Sequence, residues 1–159
     1  MTPPDSVTWS VVAAPELDVG TLYDVLMLRS AVFVVEQECA YQDPDGLDLL
    51  EGTRHLVGQN GGRNGAIAAY ARILAPDVGR PTPRIGRVIV SGETRGRQLG
   101  RRLMEQALAS CEQHWPGLAI ELGAQAHLAG FYGSLGFEAI GEPYDEDGIM
   151  HVWMRREAD

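Results

Sequence analysis

Apolar and polar positions alternate or recur along the chain in a pattern that changes period several times. Residues 6–12 alternate as a strand, with Trp9 and Val11 on one face. Residues 18–35 carry helical spacing through Leu22, Val25, Leu26, Val32 and Phe33, with Asp18 placed to cap the first turn; the closing VFVV would also suit a strand. Residues 40–53 form a polar, acidic loop with a turn at DPDG. Short apolar runs at 55–59 and 66–74 flank NGGRNG and read as a hairpin. After a proline- and glycine-rich turn, residues 85–90 read as a strand. A long helix follows over 98–115, its buried stripe formed by Leu99, Leu103, Met104, Ala107, Leu108 and Cys111, and it stops at Pro116-Gly117. A strand at 118–123 and a helix at 126–135, stopped by Gly136, come next. Strands at 138–140 and 149–155 close the chain around an acidic loop, EPYDEDG. The order β-α-loop-β-β-β-α-β-α-β-β predicts an α/β fold: one domain with its core in residues 7–155, built on a mixed sheet with helices on both faces.

Charge sharpens one part of this pattern. The 159-residue chain has a formal net charge of −9, yet residues 80–102 hold Arg80, Arg84, Arg87, Arg95, Arg97, Arg101 and Arg102 against the single acid Glu93. This window spans a strand end, a glycine-bearing turn and a helix start. A helix start presents unpaired N–H groups and a partial positive charge, and glycine lets a ligand approach the backbone, so the segment is expected to cradle a pyrophosphate. An ordinary solvated helix start is the plain alternative. The acidic balance argues against a nucleic-acid partner. No apolar run is long enough to span a membrane, and the N-terminus lacks the pattern of a signal peptide. Cys39 and Cys111 have neither disulfide-framework nor metal spacing, so no metal is expected and a cytoplasmic setting is the default. The oligomeric state is left open, a homodimer included.

Two motifs give these elements a resemblance. Residues 95–100, RGRQLG, are similar to the Q/R-x-x-G-x-G/A cofactor motif of the GNAT superfamily of acyl-CoA-dependent N-acetyltransferases, with Gln98 where a glycine is usual. A non-glycine there can still donate its N–H if its φ is helical. Residues 125–137, QAHLAGFYGSLGF, resemble a second GNAT motif through Tyr132, Gly136 and Phe137, with Gln125 in place of the usual Asn. The N-terminal half looks like the ElaA subgroup. Leu28, Arg29, Val32, Phe33, Glu36, Gln37, Cys39 and Tyr41 match its first segment; Asp43, Asp45, Gly46, Asp48 and His55 match its acidic turn and following histidine.

The resemblance implies a mainly antiparallel sheet, acetyl-CoA as acyl donor and direct transfer to a primary amine. It implies that Val88, Ile89 and Val90 offer backbone N–H groups where the central strand splays, often at a bulge, and that Arg95, Gly96, Arg97, Gln98, Leu99, Gly100, Arg101 and Gln125 help bind the cofactor. Tyr132 falls at the position of the general acid that protonates the departing thiolate, and it also lines the cofactor site; packing beside Phe131 is its plain alternative. No general base is written plainly. Glu36 is the residue chosen, with Glu38, Asp45, Glu93, Glu121 and His127 also conceivable. Six acids and no base between residues 31 and 53, with a second acidic loop at 142–147, suggest a carboxylate-lined groove for a cationic amine, small molecule or peptide. A solubilising acidic surface is the competing reading. The rival function is a catalytically silent acyl-CoA-binding module of the same fold.

Overall fold

A computed structural model describes residues 6–62, 65–91 and 98–159. Seven strands form one sheet in the order β1-β2-β3-β4-β5-β7-β6: β1 Val7–Ala13, β2 Arg54–Asn60, β3 Ile67–Leu74, β4 Arg84–Val90, β5 Ile120–Gln125, β6 Glu138–Glu146 and β7 Ile149–Arg156. All neighbours are antiparallel except β4 and β5. Helices α2 (Leu99–His114) and α3 (Ala129–Gly133) pack on one face, and α1 (Val19–Arg29) packs on the other. Leu99, Leu103, Met104, Ala107, Leu108 and Cys111 bury the expected stripe of α2 against Leu56, Ile73, Ile85 and Leu122. Across the sheet, Val25 of α1 and Val32 just beyond it meet Val57, Tyr70 and Ile89. The mixed, mainly antiparallel sheet is the one expected.

Particular residues explain the local geometry. Asp18 caps α1, accepting from the Thr21 amide at 2.8 Å and the Thr21 hydroxyl at 2.7 Å. Trp9 lies opposite Gly58 in register, and a Cβ on Gly58 would stand 2.6 Å from the indole, so the glycine makes room for the ring. Val11 shares the Trp9 face but is exposed.

Three elements differ from their expected form, one of them the helix expected over 126–135, which divides into a 3-10 turn, Ala126–Leu128, and the short α3. Helix α1 widens into a π-helical segment, Ser30–Glu36, closed by the Gln37 amide bonding the Val32 carbonyl at 3.0 Å. In addition, EPYDEDG is mostly strand: β6 runs to Glu146, and the reversal is confined to Asp147 and Gly148, whose φ values are +53° and +83°. Its exposed, polar composition suggested a loop because β6 is an edge strand exposed along its length.

Candidate functional site at the parting of β4 and β5

The two parallel strands meet at one ladder position, Arg84 opposite Glu121, and then diverge. Toward β3, β4 carries a bulge: Tyr70 pairs with Ile89 and Arg72 with Gly86, so Arg87 and Val88 together face Ala71. Arg87 takes a left-handed φ of +53°, unusual for a residue with a Cβ. The bulge falls at Arg87 and Val88, at the start of the Val88–Val90 segment, while Ile89 and Val90 pair with Tyr70 and Ala69 of β3. From Gly86 to Ile89 the side of β4 facing β5 has no ladder partner among the described residues.

A cavity of about 350 Å³ opens there, floored by Gly86, Val88 and Gly123 and walled by Phe33, Gln37, Tyr41, Arg84, Tyr144, His151 and Trp153. Gln125 and Tyr132 also line it. The widened helical segment directs Phe33 and Gln37 to this wall; Gln125 donates from its side-chain amide to Gln37 Oε1 at 3.2 Å. Tyr132 comes from α3, on the far face of the sheet. It is 6% exposed and held edge-on by Phe131 and Phe137, at ring-centroid separations of 5.1 and 6.2 Å. Its hydroxyl takes no hydrogen bond from a described residue, and burial pushes the phenol up to about 12. Packing and access to the cavity therefore coexist in Tyr132: the ring is core and its edge is cavity wall.

The cofactor-side residues divide. Arg95, Gly96 and Arg97 lie outside the described residues, as does Glu93. Gln98 stands at the start of α2 with φ +55°, in the left-handed region, not the helical conformation expected of it. A glycine adopts that conformation without the Cβ clash, which is a physical reason for glycine at this position. Leu99 is buried in the core, so only its backbone can face a ligand. A Cβ on Gly100 would make only ordinary contacts, 3.6 Å to Val90 and 3.9 Å to Phe131. Arg101 bonds the Ser134 hydroxyl at 3.0 Å and lies 3.4 Å from Glu105, tying α2 to the end of α3. The basic window is also not one cradle. Arg80, Arg84 and Arg87 lie at or before the bulge, whereas Arg101 and Arg102 belong to α2, which follows the other end of β4.

The acidic segment departs further from the expected groove. Asp43, Asp45 and Asp48 do not line an open groove; they are bound by three arginines from three elements. Arg29, fully buried, reaches Asp43 at 2.7 Å and Asp48 at 2.6 Å. Arg72 bonds Asp45 at 2.8 Å and Asp48 at 3.0 Å. Arg87 bonds Asp43 at 2.8 Å and Asp45 at 3.3 Å, and its guanidinium lies 5.6 Å over the Tyr41 ring. His55 joins this network, donating from Nε2 to the Asp48 carbonyl at 2.9 Å and accepting at Nδ1 from the Tyr70 hydroxyl at 2.7 Å. The arginines hold Asp45 down near 2 and lower Asp48 as well. Most polar residues of the ElaA-like pattern thus build a scaffold, and through Arg87 that scaffold grips the bulge.

Among the general-base candidates, Glu36 is exposed at the end of the π-helical segment and does not line the cavity. His127 and Glu38 are exposed as well. Glu121 is engaged by the Thr82 hydroxyl and the Trp153 indole, both at 2.6 Å. The residue missed is His151. Its Nδ1 donates to the Ile149 carbonyl at 2.8 Å, which leaves Nε2 as a proton acceptor when the ring is neutral, 3.6 Å from Glu146 Oε2. His151 faces Gln125 in the β5–β7 register and stacks on Tyr144. His151 enters this wall through two strand pairings, with Gln125 of β5 and Tyr144 of β6, which no local spacing in the sequence records.

A mixed sheet that opens between its two parallel central strands, with a phenol from a crossover helix at the opening, defines a class of acyl-transfer folds. Comparison with known proteins names the family. The "Acetyltransferase (GNAT) domain" profile matches residues 35–158. Protein ElaA of Escherichia coli strain K12 is 49% identical over 151 residues, covering 95% of this chain and 97% of that one. The crystal structure of Escherichia coli ElaA superposes with a TM-score of 0.89 at 48% identity, over 96% of this chain and 100% of that chain. An acyl-CoA N-acyltransferase from Pseudomonas aeruginosa gives 0.88 at 44% identity, over 95% and 99%. This chain belongs to the GNAT acetyltransferase family and is similar to ElaA across nearly its whole length.

Proposed function

We propose that the protein is an acetyl-CoA-dependent N-acetyltransferase that passes the acyl group directly to a primary amine. The single observation that carries this reading is the position of Tyr132 in the cavity at the parting of β4 and β5. Acyl-CoA would lie with its pantetheine arm along Val88, Ile89 and Val90 and its pyrophosphate at the start of α2, where Gly100 presents no side chain. The amine attacks the thioester carbon, the C–N bond forms, and the C–S bond breaks. The departing thiolate takes the Tyr132 proton. A thiol pKa of roughly 8.5 lies well below that of the buried phenol, so this transfer runs uphill; Tyr132 acts chiefly as a positioned hydrogen-bond donor to the charge that develops on sulfur, and solvent returns the proton to the phenol. His151, with Glu146 beside it, receives the proton of the incoming amine. A cytoplasmic setting fits the free thiols of Cys39 and Cys111.

The test is an amine panel followed by release of free CoA thiol, beside calorimetric titration with acetyl-CoA. Saturable acetyl-CoA binding, with thiol release that depends on an amine, is the expected result. Binding without amine-dependent release would make the protein a silent acyl-CoA-binding module.

A further inference from the structure

The cavity has a closed end and an open end. β4 and β5 touch at Arg84 and Glu121 and part beyond them, so Gln125 and Tyr132 mark the open end, where acyl transfer is placed. At the closed end stand two guanidinium groups with incomplete bonding. Arg84 has a side chain only 12% exposed; it reaches Asp77 with Nη2 at 3.2 Å, while its Nη1 is buried without a hydrogen-bond partner. Buried donors are seldom left unmet, because the desolvation cost is then uncompensated. Arg80 lies 5.0 Å over the Trp153 ring and has no ion-pair partner among the described residues. The nearby acid Glu121 is committed to Thr82, Trp153 and, at 3.5 Å, Arg155. Arg87, by contrast, is saturated by Asp43 and Asp45.

These two arginines are too far away to serve the pyrophosphate. Helix α2 follows the other end of β4, and a strand of seven residues spans about 20 Å. Ile85, next to Arg84, points into the α2-side core, so Arg84 belongs to the opposite face. The open end has the contrary character, with His151 and Glu146 suited to an ammonium group. Tyr144 stacks on His151 at this end, and its hydroxyl lies against Gly123 beside Trp153, the ring that Arg80 covers. The four-residue step from Arg84 to Val88 is about 13 Å along the backbone, of which the Arg84 side chain spans roughly half, leaving a gap that suits a six-carbon amino acid better than an amine and an acid borne on one carbon.

We propose that the acceptor is an elongated amine carrying a carboxylate at its far end, with the carboxylate on Arg84 and Arg80 and the amine beside His151 at the parting of the strands. This rests on the N-acetyltransferase reading. Bidentate guanidinium–carboxylate pairing in a walled cavity is the recognition chemistry involved.

The test compares 6-aminohexanoate with 6-aminohexanamide at saturating acetyl-CoA. The wild type should favour the acid by about tenfold or more in kcat/KM, as expected for a charge-assisted pair. Arg84→Gln should bring that ratio close to one, Arg84→Lys should keep part of it, and Arg80→Gln should lower it. Arg80 is exposed and makes no described ion pair, so the last variant keeps the inference testable if Arg84→Gln fails to fold. Equal rates for acid and amide in the wild type would overturn the inference and leave N-acetyl transfer standing. Should neither compound be acetylated, calorimetry of both against the CoA-bound protein decides: selective binding of the acid, lost in Arg80→Gln, supports the inference, and no selectivity overturns it.

Discussion

Tyr132 combines two roles that single-site variants separate. Its ring is packed by Phe131 and Phe137 while its hydroxyl edge faces the cavity, so Tyr132→Phe removes the proton donor and little of the packing. Stopped-flow or steady-state kinetics should show kcat lowered by roughly 10²–10⁴-fold with acetyl-CoA affinity nearly unchanged. An unaltered kcat, with chemistry limiting, would assign the residue to packing alone. Burial lifts the phenol to about 12, so the acid stays protonated across the working range. The rate should therefore climb with pH as the amine loses its proton and show no falling limb until pH approaches that value. Gly123 offers a second single-residue test. A Cβ there would stand 3.1 Å from both Trp153 and the Tyr144 hydroxyl, so Gly123→Ala must push the cavity wall by a few tenths of an ångström. Acceptor KM should rise while acetyl-CoA affinity, set elsewhere, stays put.

Strand β4 and helix α2 carry their own tests. The bulge in β4 depends on a left-handed Arg87, a conformation that costs roughly 1–2 kcal/mol for a residue with a Cβ. Its side chain offsets that cost by bonding Asp43 and Asp45. Arg87→Ala loses the bonds and keeps the backbone strain; Arg87→Gly loses the bonds and relieves it. If the bulge positions the thioester, the glycine variant should retain several-fold more kcat than the alanine variant at equal folded fraction. Indistinguishable rates would make the bulge irrelevant to chemistry. In α2, Gly100→Ala meets only ordinary contacts and should raise helix stability by up to about 1 kcal/mol. Weaker acetyl-CoA binding in a more stable protein would show that this glycine serves the ligand.

Across the whole molecule, the network of Arg29, Arg72 and Arg87 with Asp43, Asp45 and Asp48 ties α1, the acidic turn, β3 and β4 into one body. Removing one member leaves uncompensated buried charge, so Arg29→Met should cost about 3–5 kcal/mol in urea unfolding. Acid titration should weaken the fold in two stages. His55 is buried with its pKa below 6.5; the unfolded chain binds its proton first, so stability is complete above 6.5 and falls as pH drops below it. Asp45, at about 2 when folded against 3.8 otherwise, contributes stability that is present above 3.8 and lost as pH falls toward 2, and the lowered Asp48 adds to this stage. Unfolding midpoints measured from pH 8 to pH 2 should show both, and the first should vanish in His55→Gln.

Much of the fold was legible because local periodicity and tertiary burial agree. The stripe of α2, the Asp18 cap, the hairpin glycines and the element order are short-range patterns, and each appears where the spacing places it. The open central sheet followed from the family motifs, whose glycines and aromatics sit at fixed offsets. Charge behaved differently. Six acids in residues 31–53 suggested a groove for a cation, yet three are bound by arginines 14 to 44 positions away along the chain. A count along a sequence cannot show which opposite charges the fold brings within 3 Å. The same limit split the basic window, since one seven-residue strand carries its two ends to different parts of the sheet. It also hid His151, whose place opposite Gln125 depends on β7 pairing with β5, an antiparallel register set only when the strands come together. Hydrophobic periodicity specifies elements because burial acts residue by residue; charge pairing and cavity walls depend on distances that exist only in the folded chain.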